Sequence, residues 1–143
     1  MRCVRALYGT LRRIYIRYLK KGDVMNELIY VADIEAGTRQ AIQSFFEKEG
    51  FHVKCFESGN QLLSTFKREA SDLIILGAAA TDVEGFIISM KVRQISQSPI
   101  IMISEGNCDE SYVFGISIGI DVYLTKPVNP AKLVAHAKAF FSL

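Results

Sequence analysis

Between residue 26 and the C-terminus, short apolar runs alternate five times with longer stretches whose apolar residues fall three and four apart. Leu28-Ile29-Tyr30-Val31-Ala32 is a β-rich run that ends at Asp33, and Ala41, Ile42, Phe45 and Phe46 then mark a helix closed by Gly50. Glycine is the residue that most easily takes the left-handed conformation at a helix C-terminus. Phe51 to Phe56 reads as the second strand, and Leu62, Leu63 and Phe66 as a helix after Gly59. Leu73 to Leu76 is the third strand, and Phe86, Ile87, Met90 and Val92 belong to the third helix. Pro99 opens a fourth strand over Ile100 to Ile103, followed by a helix through Tyr112, Val113, Ile116 and Ile118 that ends near Gly119. Asp121 to Leu124 is the fifth strand, and Pro130 starts the last helix where a missing N–H costs nothing.

Uninterrupted apolar strands alternating with helices call for a parallel sheet covered on both faces, joined by right-handed crossovers. The expected strand order is 2-1-3-4-5, with the functional crevice at the C-terminal ends of strands one and three. No internal sequence repeat accompanies the alternation.

Composition bounds the rest. A chain of 143 residues, half of them hydrophobic and 22% charged, is globular and large enough to bury a core. No apolar stretch approaches the roughly 20 residues of a membrane span, and Arg12, Arg13 and Arg17 interrupt any signal-peptide core. Cys3, Cys55 and Cys108 are odd in number and lack metal-type spacing, which fits free thiols in a reducing cytoplasm.

The net charge of +2 conceals two pieces. Residues 1–25 carry seven Lys or Arg against Asp23, whereas residues 26–143 carry ten basic and fourteen acidic groups. A mildly acidic body argues against nucleic-acid binding by this domain. The division predicts a basic N-terminal extension over 1–25 and one domain over 26–143. Val4, Leu7, Leu11, Ile14 and Tyr18 fall at helical spacing near residues 3–20, and three readings stand for this helical extension. It lies on an anionic surface or a partner, it packs on the body, or it is a start-site artefact. In the last case Lys21-Gly22-Asp23 is the translation of a ribosome-binding sequence ahead of Met25.

Chemistry in such a sheet belongs at the strand tips, and the tip of strand three is unusual. After Ser71-Asp72-Leu73-Ile74-Ile75-Leu76 come Gly77-Ala78-Ala79-Ala80, four residues with no functional side chain. Other candidates are weaker. His52 and His136 share no ligand-like spacing, and Ser104 lacks the glycines of a nucleophile elbow. Gly77 to Ala80 is not a dinucleotide fingerprint. Asp82 and Glu84 read as solvated loop and helix-start acids.

The strand-end motifs carry a resemblance. Ile29-Tyr30-Val31-Ala32-Asp33-Ile34-Glu35, Asp72 to Gly77, Pro99 to Ser104, and Gly119-Ile120-Asp121-Val122-Tyr123-Leu124-Thr125-Lys126-Pro127 match a receiver domain in order and spacing. Residues 27–142 thus resemble the receivers of bacterial two-component response regulators, closest in style to the winged-helix (OmpR/PhoB-like) transcription-regulator class. The resemblance implies a flavodoxin-like (βα)5 fold, a cytoplasmic phosphorelay role, and protein partners such as a histidine kinase, an output domain or a second copy. It implies no enzyme activity.

Receivers of this kind hold Mg²⁺ with two acids and an acceptor aspartate, and bind the phosphoryl group with a hydroxyl and a lysine. Carried over residue by residue, Asp33 keeps the first acid, while Ile34 stands where the second belongs. Gly77 replaces the acceptor, Ser104 keeps the hydroxyl, and Lys126, followed by Pro127, keeps the ammonium. Tyr123 is the switch aromatic. The resemblance therefore implies a pseudo-receiver that cannot accept phosphate, with no cofactor and the Mg²⁺ site lost. Lys126, left without its usual anions, is expected to pair with Asp33.

Family dimers pair through helix four, strand five and helix five. Lys132, His136 and Val122 depart from that pattern, which implies a weak or differently arranged homodimer. Two alternatives remain: a nonfunctional or engineered receiver relic, and a flavodoxin-like small-molecule-binding protein. The strand-tip loops lack the Ser/Thr/Asn-rich cradle that a flavin phosphate would want.

Overall fold

The computed structural model describes residues 26–77, 83–106 and 109–142. The expected N-terminal helix, Cys3, Cys108, Asp82 and Ala78 to Ala80 lie outside the described residues. Within them, five strands and five helices alternate: β1 (Leu28–Ala32), α1 (Ala36–Lys48), β2 (His52–Phe56), α2 (Gly59–Arg68), β3 (Leu73–Gly77), α3 (Val83–Arg93), β4 (Ile100–Ser104), α4 (Asp109–Ser117), β5 (Val122–Thr125) and α5 (Pro130–Phe141). The strands form one parallel sheet in the order β2-β1-β3-β4-β5. This is the doubly wound, flavodoxin-like arrangement expected from the alternation.

The three central strands are buried on both faces. Ile29, Val31, Leu73, Ile75, Ile101 and Ile103 pack with Ile42, Phe46, Leu133 and Phe141 of α1 and α5. Tyr30, Ala32, Ile74, Leu76, Ile100 and Met102 face Leu62, Phe66, Phe86, Ile88 and Val92 of α2 and α3. Each fully buried aliphatic side chain contributes about 1.5–3 kcal/mol, so these two layers dominate the fold's stability. The one large polar tip within them is satisfied, since Tyr30 donates its hydroxyl to the Glu69 carbonyl at 2.6 Å.

Polar groups set the ends of the elements. Asp72 accepts from the Leu28 N–H, and Asp121 accepts from the Ile100 N–H, each at 2.8 Å at the start of a strand. Ser58 caps α2 by accepting from the Gln61 N–H, and Asn129 caps α5 ahead of Pro130. Gly50 and Gly119 sit at φ 91° and 102°, the left-handed region that side chains resist, and each ends a helical stretch.

Several boundaries differ from expectation. Phe51 precedes β2, because its N–H closes the end of α1 on the Phe46 carbonyl while its ring is buried against Phe46. Asp121 lies outside β5 because its carboxylate is spent on Ile100 and on Arg93. Helix α4 stops at Ser117, leaving Ile118 in the turn, whereas β3 and β4 run one residue further, to Gly77 and Ser104.

Candidate functional site

Four of the expected site residues meet at the C-terminal edge of the sheet. Asp33 follows β1, Gly77 ends β3, Ser104 ends β4 and Lys126 follows β5. Ladder pairing fixes these positions, with Ala32 opposite Leu76, Gly77 opposite Ile103, and Ser104 opposite Thr125.

Asp33 is the centre of the cluster, and its side chain is 1% exposed. Its Oδ1 accepts from the Glu35 N–H at 2.8 Å, which turns the chain into α1. Its Oδ2 points over β3, into the space above Gly77. A Cβ on residue 77 would lie 1.9 Å from that oxygen and 2.5 Å from the carboxyl carbon. No Cβ tolerates such an approach, so the Asp33 carboxylate holds this position only because residue 77 is glycine.

Lys126 supplies the counter-charge. Its Nζ lies 3.2 Å from Asp33 Oδ2 and 3.5 Å from Glu105 Oε1, and its side chain is 15% exposed. The approach to Oδ2 is off the direction of a good hydrogen bond, so that oxygen is compensated by charge rather than by a well-aligned donor. Burial pulls the Lys126 ammonium down, but contact with Asp33 and the charges of Asp33 and Glu105 outweigh it and leave Lys126 above the ordinary lysine value. The Lys126–Pro127 peptide is cis. The expected pairing of Lys126 with Asp33 is therefore present, and Glu105 makes it a three-residue bridge.

The remaining expected residues divide. Ser104 is fully buried at the end of β4, and its Oγ both accepts from the Gly106 N–H and donates to the Gly106 carbonyl at 3.1 Å. Its backbone carbonyl accepts from the Lys126 N–H at 2.7 Å, tying the two tips together. Ile34 does not join the cluster: it is 70% exposed. It borders a cleft of about 100 Å³ with Glu57, Ser58, Glu84 and Gly77. Tyr123 lies on β5 with its ring edge-on to Tyr112, centroids 5.8 Å apart. No group of three His, Cys, Asp or Glu able to hold a metal occurs among the described residues.

Two contributors escape a reading of the sequence. Glu105 reaches Lys126 from the loop after β4, and the only signal is an acid directly following Ser104. Arg39, one turn into α1, donates to the Asp33 backbone carbonyl and holds the strand end against the helix. Among the other candidates, His52 is exposed on β2 and bonds Asn26, and His136 lies on α5, so the two sit on separate elements. Cys55 is half-buried on β2 beside Gln43, with its thiol pushed up by burial. Among the described residues no helix is long and apolar enough to cross a membrane.

Comparison with known proteins agrees with this geometry. The chain is 33% identical over 114 residues to the regulatory protein VanRc of Enterococcus gallinarum, covering 80% of this chain and 49% of the relative. It is 38% identical over 97 residues to the uncharacterized transcriptional regulatory protein YclJ of Bacillus subtilis, covering 68% and 43%. The chain thus spans about half the length of the curated relatives it matches. A two-component response regulator from Clostridium difficile superimposes with a TM-score of 0.76 at 26% identity, covering 81% of this chain and 96% of that one. The family model of the response regulator receiver domain matches residues 29–138, a span that holds every residue of the Asp33–Lys126–Glu105 cluster. A parallel sheet in the order 2-1-3-4-5, an acid and a lysine converging at its C-terminal edge, and a match over most of the length place this chain in the response regulator receiver family of two-component signalling.

Proposed function

We propose that this domain is a phosphorylation-independent receiver, a signalling module whose acceptor position has been emptied and filled from within. The observation that carries the reading is the place of the Asp33 carboxylate, in the volume that any side chain at residue 77 would need. Phosphoryl transfer to a receiver needs a carboxylate nucleophile at the tip of β3 and a cation to neutralise the moving charge. Residue 77 has no side chain, and Lys126 is already engaged by two carboxylates.

The same arrangement does not fit Mg²⁺, which demands about six oxygen ligands in near-octahedral geometry. Ile34 offers no oxygen and turns to solvent. Asp33 commits one oxygen to the Glu35 N–H and the other to Lys126. The retained Ser104, Tyr123 and Lys126 then serve shape rather than switching, and the domain presents one fixed surface to a kinase, an output domain or a second copy. A domain of this kind works in the cytoplasm and carries no enzyme activity of its own.

Beryllofluoride with Mg²⁺, a mimic of the phosphoryl group, tests the reading by amide NMR. The signals of Gly77, Ser104 and Lys126 are expected to stay in place for this chain, whereas those of Ser104 and Lys126 shift for the Ile34→Asp, Gly77→Asp double variant. Saturable shifts at these residues in the unaltered chain would overturn the proposal.

A further inference from the structure

Helices α3 and α4 differ from the other helices in what they show to solvent. The exposed positions of α3 are Val83, Glu84, Ile87, Met90 and Lys91, with Gln94 just beyond its end. At 100° per residue these six fall within one stripe about 120° wide. Ile87, 46% exposed, lies at its centre, and Met90, 47% exposed, lies on the edge away from Glu84 and Lys91. Glu84 and Lys91 lie on the same edge of the stripe, two turns apart, and neither is in an ion pair among the described residues. That edge is the one near α2, where Ile88 packs against Gly59. The opposite flank meets α4, with Phe86 edge-on to Phe114 at 5.0 Å. There Val113 is 64% exposed, and Tyr112 and Ile116 are exposed beside it.

A helix with apolar residues on its outer as well as its inner face is built to be covered. We propose that α3 docks on α3 of a second copy of this chain, antiparallel about a two-fold axis near Ile87. The charge pattern selects this occupant. When two helices pair antiparallel across a two-fold, residues on the same edge face one another, so Glu84 of each copy meets Lys91 of the other. The midpoint of residues 84 and 91 falls beside Ile87, which centres the apolar stripe on the axis. On the other edge Val113 and Phe114 of α4 meet their own counterparts and extend the apolar contact. A parallel pairing would carry the Glu84–Lys91 edges of the two copies to opposite sides of the seam, where these charges do not meet.

This surface shares only α4 with the face of helix four, strand five and helix five, and uses neither β5 nor α5. There Asp121 is held within its own chain by Arg93 at 2.8 Å and by the Ile100 N–H. The inference does not depend on the loss of the phosphoryl acceptor. One helix pair with its flanks falls below the ~1,200 Å² of stable interfaces, so the dimer is weak, with Kd on the order of 0.1 mM.

Sedimentation equilibrium of the full 143-residue chain tests it. Glu84→Lys and Lys91→Glu alone each place like charges across the axis and are expected to weaken the dimer about tenfold. The combination Glu84→Lys, Lys91→Glu restores opposite charges and is expected to restore the dimer to within about threefold, a rescue that a merely misfolded chain could not give. Ile87→Asp is expected to abolish it, with circular dichroism and the thermal midpoint confirming that this exposed site leaves the fold intact. Lys132→Glu, on α5, is expected to change nothing. A chain that stays monomeric to about 1 mM, single reversals without effect, a double reversal without rescue, or a dimer lost on Lys132→Glu would each overturn the proposal.

Discussion

The two halves of the site at the sheet's C-terminal edge have different characters. On the β4–β5 side, Ser104, Tyr123 and Lys126 keep side chains able to bind an anion and to couple loop to sheet. On the β1–β3 side, Ile34 faces solvent and Gly77 brings no side chain, and among the described residues Asp33 is the buried acid there, with Glu57 and Glu84 on the rim of the cleft. The cation of one half and the carboxylate of the other have closed on each other. A lysine and an aspartate this deeply placed cost too much unpaired, which favours their closing on each other.

The largest expected effect follows from removing the cation. Lys126→Met leaves the Asp33 carboxylate buried without a counter-charge, and stripping one partner from a buried pair costs about 3–5 kcal/mol. Lys126 is partly exposed, so about 2–4 kcal/mol is expected, read as a lower urea midpoint with an unchanged slope. Asp33→Asn, Lys126→Met should recover most of that loss. If Lys126→Met alone is neutral, the two halves are not coupled.

Gly77→Ala comes next. The added Cβ collides with Asp33 Oδ2, so the carboxylate must swing off Lys126, at a cost of about 2 kcal/mol. In an Asp33→Ala background the same change should cost little, giving a coupling of at least about 1 kcal/mol in the double-mutant cycle. Additive effects would mean that Asp33 does not fill the space above Gly77.

Glu105→Gln should cost no more than about 0.5 kcal/mol, since Glu105 is half-exposed and its 3.5 Å contact is screened by solvent. A loss beyond about 1.5 kcal/mol would make the loop acid, not Asp33, the main partner of Lys126.

The smallest effect is a pH dependence. The pKa of Lys126 is raised in the folded protein, so its contribution is fully present below the unfolded lysine value and is lost as pH rises through the folded one. Urea midpoints should therefore fall on the alkaline side, above about pH 10.4. That part of the fall should be absent in Lys126→Met.

Much of this molecule was legible in its residues, and the reasons it was not wholly so are physical. The five strands and their order follow from apolar runs that must be buried on both faces. Their ends do not: Phe51 was apolar enough for β2 but caps α1, and Asp121 left β5 because Arg93 and Ile100 claim its carboxylate. The positions of Asp33, Gly77, Ser104 and Lys126 followed from the receiver resemblance that the strand-end motifs carry. What spacing cannot carry is a rotamer, and so neither the turn of Asp33 over Gly77 nor the reach of Glu105 to Lys126 could be read in advance. The apolar outer stripe of α3 was hidden for a related reason. Ile87 and Met90 look like core residues until the helix is placed and its inner face is found already supplied by Phe86, Ile88 and Val92.

Intact mass tests most directly whether the β1–β3 half can take a phosphoryl group. Incubation with acetyl phosphate and Mg²⁺ is expected to leave the mass of the chain unchanged. A gain of one phosphoryl group per chain, removed by hydroxylamine as an acyl phosphate would be, would contradict the expected inertness.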